Sequence, residues 1–134
     1  MFNDETGILV VDDSATTRNL LVKHLMDLGF KRFRHAANGE EAWKCLIAGK
    51  PVIGVIFCDW NMPDMGGLEL LKKVRANERM KYIPFVMVTS ERTPEKVREA
   101  VEAGVSNYIV KPFDQKVIKE KLERTYLTII KKAA

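Results

Sequence analysis

Hydrophobic and polar positions along this chain keep two alternating rhythms. Short, nearly unbroken apolar runs occur at Ile8-Leu9-Val10-Val11, Val52-Ile53-Gly54-Val55-Ile56-Phe57-Cys58, Pro84-Phe85-Val86-Met87-Val88 and Tyr108-Ile109-Val110. Between them, apolar residues return at helical spacing. Unbroken runs of this length suit strands covered on both faces, as in parallel sheets. Gly7 to Val11 reads as the first strand. Ser14 can then cap a helix that carries Leu21, Leu25 and Leu28 on one face and stops at Gly29. Phe33 to Ala37 reads as a short edge strand, and Asn38 caps a second helix holding Ala42, Cys45 and Leu46 before Gly49. Val52 to Cys58 is the third strand. Gly66-Gly67 breaks the chain ahead of a helix from Leu68 to Ala76, with Leu68, Leu71 and Val74 turned inward. Phe85 to Val88 is the fourth strand, and Thr93-Pro94 starts a helix that ends at Gly104. Tyr108 to Val110 is the fifth, and Asp114 caps a last helix running towards Ile130. Strands and helices alternate with short connections. The pattern predicts an α/β fold, a doubly wound five-stranded parallel sheet flanked by five helices.

The residues at the strand ends matter more than the strands themselves. The first strand ends in Asp12-Asp13, the third in Asp59, the fourth in Thr89-Ser90 and the fifth in Lys111-Pro112. Open parallel sheets bind ligands outside the carboxyl ends of their strands. Side by side, these strands bring three carboxylates, a hydroxyl and an ammonium to one edge. That set suits a divalent metal and a phosphoryl group.

Composition narrows the class. A length of 134 residues fits one domain with one core, and 46% hydrophobic content excludes a disordered chain. No apolar run approaches the ~20 residues needed to cross a bilayer. The acidic start, Met1-Phe2-Asn3-Asp4-Glu5, lacks the basic and apolar regions of a secretion signal, so a cytoplasmic protein is expected. Cys45 and Cys58 have no metal-ligand spacing and read as reduced core thiols. The net charge of +4 comes from Lys and Arg interleaved with Asp and Glu, a solvated surface rather than a nucleic-acid patch. His24 and His35 read as surface or packing residues, and Trp60 as a partly exposed loop residue.

The strings Val10-Val11-Asp12-Asp13-Ser14, Asp59-Trp60-Asn61-Met62-Pro63, Thr89-Ser90 and Lys111-Pro112-Phe113 fall in order on matching elements. Through them the chain resembles the receiver domains of two-component response regulators, with residues 1–134 as a single domain. Asp59-Trp60-Asn61-Met62-Pro63, Glu91 two residues after Thr89, and Ala103-Gly104-Val105-Ser106-Asn107-Tyr108 bring it nearest to the single-domain chemotaxis regulators of the CheY type.

The resemblance implies a flavodoxin-like strand order 2-1-3-4-5 and a phosphoryl group accepted on Asp59 from a histidine kinase with Mg²⁺. It implies metal ligands Asp13 and Asp59, Asp12 through a water, and the backbone carbonyl of Asn61. Lys111 would hold Asp59 at rest and a phosphoryl oxygen afterwards, with a cis peptide before Pro112. Thr89 would donate its hydroxyl to the phosphoryl group, and Tyr108 would turn in response. The pair would then change the partner affinity of a face carrying Lys96, Glu99 and Lys116. Asn61 and Glu91 would tune dephosphorylation. The implied partners are the kinase, the flagellar motor switch protein and a phosphatase, for a monomer without membrane insertion or direct nucleic-acid binding. A phosphorelay intermediate, or a receiver module of another two-component pathway, is the alternative within the class.

Two other classes fare worse on the residues. A phosphohydrolase of the haloacid dehalogenase type needs an acid-base carboxylate two residues after its nucleophile, and that place is Asn61. A flavin or nucleotide module needs a phosphate-binding loop after the first strand, where Asp12-Asp13 would repel the phosphate.

Overall fold

The computed structural model describes residues 5–133, and side-chain surroundings only as far as residue 126. Ten elements alternate along the chain. They are β1 (Gly7–Val11), α1 (Ala15–Asp27), β2 (Arg32–Ala36), α2 (Gly39–Ala48), β3 (Val55–Cys58), α3 (Gly67–Ala76), β4 (Phe85–Thr89), α4 (Pro94–Glu102), β5 (Asn107–Val110) and α5 (Gln115–Ala133). The strands form one five-stranded sheet in the order β2-β1-β3-β4-β5, every pairing parallel. The predicted architecture is the observed one.

The sheet divides two apolar layers. Leu9, Val11, Ile56, Cys58, Phe85 and Met87 project to one side, where α2 and α3 add Ala42, Leu46, Leu70, Leu71 and Val74. Ile8, Val10, Val55, Phe57, Val86, Val88 and Ile109 project to the other, beneath Leu21 and Leu25 of α1 and Ile118 and Leu122 of α5. The period-two alternation of each central strand feeds both layers, which is why those strands read as unbroken apolar runs.

Local chemistry sets the helix starts. Ser14, Asn38 and Thr93 each accept a backbone N–H three residues on, from Thr17, Glu41 and Lys96. Asp114 does the same for Val117 at the start of α5. These bonds satisfy donors that a helix start leaves orphaned.

Several boundaries differ from the sequence reading. β3 begins at Val55, not Val52, because Val52 lies 78% exposed and is not covered by the layers that bury the strand. β2 is shifted by one residue, to Arg32–Ala36. α3 starts at Gly67, and its buried face is Leu70, Leu71 and Val74, with Leu68 only half-buried. Cys45 is half-buried rather than a core thiol, while Cys58 is fully buried. No helix among the described residues is long and apolar enough to cross a membrane.

Candidate functional site

The ladder positions the site. β1 and β3 pair Val11 with Cys58, and one step further Asp12 N–H donates to Ala36 O at 3.1 Å while Asp59 N–H donates to Val11 O at 2.9 Å. The two acidic residues therefore leave adjacent strands at the same level. β4 and β5 pair Thr89 with Val110, and Lys111 N–H continues the ladder to Thr89 O at 2.9 Å. Four chain segments thus deliver Asp12, Asp59, Thr89 and Lys111 to one edge.

There Lys111 Nζ lies 2.8 Å from Asp12 Oδ2 and 3.1 Å from Asp59 Oδ2. Asp12 is 4% exposed and Asp59 9%, so both carboxylates sit where charge without a partner is costly. Burial pulls the Lys111 ammonium towards its neutral form. The hydrogen bonds and charges of Asp12 and Asp59 outweigh it and hold the pKa above the ordinary lysine value. The remaining oxygens are also engaged. Asp59 Oδ1 accepts the Trp60 N–H at 2.6 Å, and Asp12 Oδ1 accepts the Ser14 N–H at 2.9 Å. The Lys111–Pro112 bond is cis, as the resemblance implies.

Asp13 completes an acidic group. One carboxylate oxygen from each of Asp12, Asp13 and Asp59 lies within 4.8 Å of the others, and Asp13 is exposed. Three carboxylates face a single ammonium, which leaves the pocket negative. An all-oxygen set with one side open to water suits Mg²⁺, a hard cation that keeps several waters. The donor set fits the ion.

The loop after Asp59 is packed tightly from below. A Cβ on Gly67 would fall 2.1 Å from Asp59 O, so only glycine lets α3 begin this close to Asp59. Trp60 is buried at 8% exposure, contrary to the expectation of a partly exposed residue. Its ring carries Lys96 Nζ 5.0 Å from the centroid.

Across the site, Glu91 joins three other residues named from the sequence. Its N–H donates to Thr89 Oγ1 at 3.3 Å, and its carbonyl accepts the Tyr108 hydroxyl at 2.6 Å. Its carboxylate accepts from Asn61 Nδ2 at 2.9 Å. Thr89 is fully buried, and Tyr108 is half-buried. Burial, then the charges of Glu91 and Asp59, push the Tyr108 phenol above its ordinary value. His24 and His35 stand apart from this group. His24 packs edge-on against Phe113 at 6.0 Å, and exposed His35 accepts from Arg18 Nε at 3.3 Å. Arg18 also donates to the Asp12 carbonyl, a contact that no sequence signal announced.

Comparison with known proteins agrees with this geometry. The family model for the response regulator receiver domain matches residues 8–123. The chain is 50% identical over 116 residues to the chemotaxis protein CheY1 of Helicobacter pylori strain J99, covering 87% of this chain and 93% of that protein. It is 44% identical to the chemotaxis protein CheY of Pseudomonas aeruginosa over 119 residues, 89% of this chain and 94% of that protein. Among solved structures, Vibrio cholerae CheY4 superposes with a TM-score of 0.80 at 37% identity, over 90% of this chain and 98% of that one. The CheX-CheY-BeF3-Mg+2 complex from Borrelia burgdorferi gives 0.84 at 26% identity, over 90% of this chain and 89% of that one.

Proposed function

This chain belongs to the response regulator receiver domains, with CheY-type chemotaxis proteins among its relatives, and we propose that Asp59 accepts a phosphoryl group from a histidine kinase. The observation that carries the proposal is the placement of Asp59 Oδ2. It meets Lys111 Nζ at 3.1 Å, and Asp13 brings an exposed carboxylate within ligand distance beside it.

The transfer is a displacement at phosphorus. A carboxylate oxygen of Asp59 forms a bond to phosphorus as the bond to the kinase imidazole nitrogen breaks, and the imidazole leaves with its electron pair. Asp59 becomes an acyl phosphate. Lys111 stays beside the new group because Asp12, at 2.8 Å, still holds its ammonium when Asp59 changes partner. Asp12, Asp13, Asp59 and the Asn61 carbonyl would hold Mg²⁺. Bound there, the ion would offset the repulsion between the carboxylate and the phosphoryl oxygens. Water then attacks phosphorus, releasing inorganic phosphate and restoring the carboxylate. Asn61 and Glu91, bonded to each other across the mouth of the site, set how readily that water enters.

The output runs through Thr89 and Tyr108. A phosphoryl oxygen would accept the Thr89 hydroxyl proton and draw Thr89 towards Asp59, and with it the oxygen that accepts the Glu91 N–H. Any shift of Glu91 is felt at its carbonyl, where Tyr108 is bound. A charge event at Asp59 thereby biases the face formed by α4, β5 and α5. We assign that face to the flagellar motor switch protein, in a monomeric, cytoplasmic regulator whose single receiver unit spans the chain. A phosphatase is a further partner. The solved complex of a CheY with CheX, BeF3 and Mg+2 supports a second protein partner and a metal-assisted phosphoryl site.

Acetyl phosphate with Mg²⁺ should label the protein stoichiometrically, and Asp59→Asn should abolish the label. Asp13→Ala should remove the Mg²⁺-induced change in Trp60 fluorescence while leaving the fold intact. Undiminished labelling of Asp59→Asn would sink the assignment.

A further inference from the structure

Lys96 lies in the first turn of α4, behind the Thr93 cap and Pro94. A cation is out of place there, because the unpaired N–H groups of a helix start carry partial positive charge. Its compensation comes from outside the helix. Lys96 is half-buried, and its ammonium stands 5.0 Å from the centre of the Trp60 ring, within cation–π range. That ring is not a passive support. It is 8% exposed, and the same residue's N–H holds Asp59 Oδ1 at 2.6 Å. The acceptor carboxylate, the Trp60 backbone, its ring and the Lys96 ammonium form one continuous path of four contacting groups. The path ends in the first turn of α4.

We propose that Lys96 is a positioning residue, its ammonium seated on Trp60 so that the first turn of α4 responds to the state of Asp59. Lys96 therefore belongs to the site's own wiring rather than to a free docking face. α4 is suited to such control, since Ala100 is its one buried residue and little else pins it. New bonds at Asp59 redirect the oxygen that Trp60 N–H holds, and a change in the indole's position alters the surface on which the ammonium rests. This path adds to the one through Thr89 and Tyr108. It relies on Asp59 as acceptor only for the signal it carries, and not for the resting contact.

The test uses the full chain with Trp43→Phe, because Trp43 lies under Lys73 at 4.7 Å and would report a similar contact. Trp60 is then the only indole, as the sequence holds 2 tryptophans. Without ligand, Lys96→Met should raise acrylamide quenching of Trp60 by about two-fold, while Lys96→Arg, which keeps a cation on the ring, should stay near the parent. With saturating Mg²⁺ and beryllofluoride, the amide shift changes of Val97 to Ala100 should fall about three-fold in Lys96→Met and persist in Lys96→Arg. Unchanged quenching and unchanged α4 shifts in Lys96→Met would overturn the proposal. So would a quenching change with no loss of α4 response, or Lys96→Arg behaving as Lys96→Met. A parent chain that ignores beryllofluoride would instead overturn the acceptor reading of Asp59 and the signal with it. Failure of the inference alone would appear only in the variants.

Discussion

α3 and α4 both begin beside the Asp59-Trp60 segment and are nearly equal in length, 10 and 9 residues, yet they are anchored very differently. α3 buries Gly67, Leu70, Leu71 and Val74, whereas α4 buries Ala100 alone. The strands leading into both helices are equally buried, and the sheet loosens at its β5 edge. β3 and β4 are buried at every position, while β5 has only Ile109 fully buried. The Asp59 side is fixed by packing, whereas α4 buries a single residue and the loop before it is tied to β5 by the Tyr108 hydroxyl on Glu91 O. A group that must meet a phosphoryl donor in one geometry gains from rigid support. A readout must change shape for a few kcal/mol, so elements with few buried contacts serve it better.

The largest expected effect tests the packing half of that contrast. Leu70→Ala on α3 should destabilise the protein by about 2–5 kcal/mol, because a fully buried leucine leaves a cavity. Val101→Ala on α4, at 62% exposure, should stay within about 0.5 kcal/mol. Urea denaturation measures both. Comparable losses would mean that α4 is as firmly anchored as α3.

A double-mutant cycle addresses the hydrogen-bonded half. Thr89→Ala and Tyr108→Ala should each still accept phosphate yet lose about 1–3 kcal/mol of phosphorylation-induced tightening on a flagellar switch peptide, the scale of a hydrogen bond to a charged group. Since Glu91 donates to Thr89 and accepts from Tyr108, the double variant should be little worse than either single one. Fully additive losses in the titrations would show that the two act separately.

The sequence carried the architecture because strand periodicity and helix caps are local signals. Ser14, Asn38, Thr93 and Asp114 each cap the helix that their residue type suggested. Asp12, Asp59, Thr89 and Lys111 were legible as strand-end residues, since parallel pairing brings strand ends together. Local signals failed where the environment decides. Val52 is as apolar as Val55 but precedes the sheet and faces solvent. Leu68 fits the helical period, yet the approach of Gly67 to Asp59 sets a phase that buries Leu70. Trp60 looked like a loop residue because nothing nearby in sequence announces Lys96, 36 positions on, as the cation over its ring. The bond from Asn61 to Glu91 likewise joins loops 30 positions apart, which no periodicity reports.

The smallest effect isolates one bond on the loosely anchored side. Tyr108→Phe removes the hydroxyl that donates to Glu91 O at 2.6 Å and should cost about 0.5–1.5 kcal/mol, the range for a single neutral hydrogen bond. Its pH dependence has a definite sign. Burial first, then the charges of Glu91 and Asp59, hold the phenol above its ordinary 10.0 in the folded protein. The unfolded chain therefore loses this proton at lower pH than the folded one. The contribution of Tyr108 is whole below pH 10 and disappears as pH rises through the folded value. Comparing wild type with Tyr108→Phe cancels the other groups that titrate in this range, including Lys111. The stability difference should be flat from neutral pH to the ordinary phenol value and shrink beyond it, and hydrogen exchange should rise first in α4. A difference that grows above that value would mean the phenolate is the form the fold prefers, and Tyr108 would then be held by something other than its bond to Glu91.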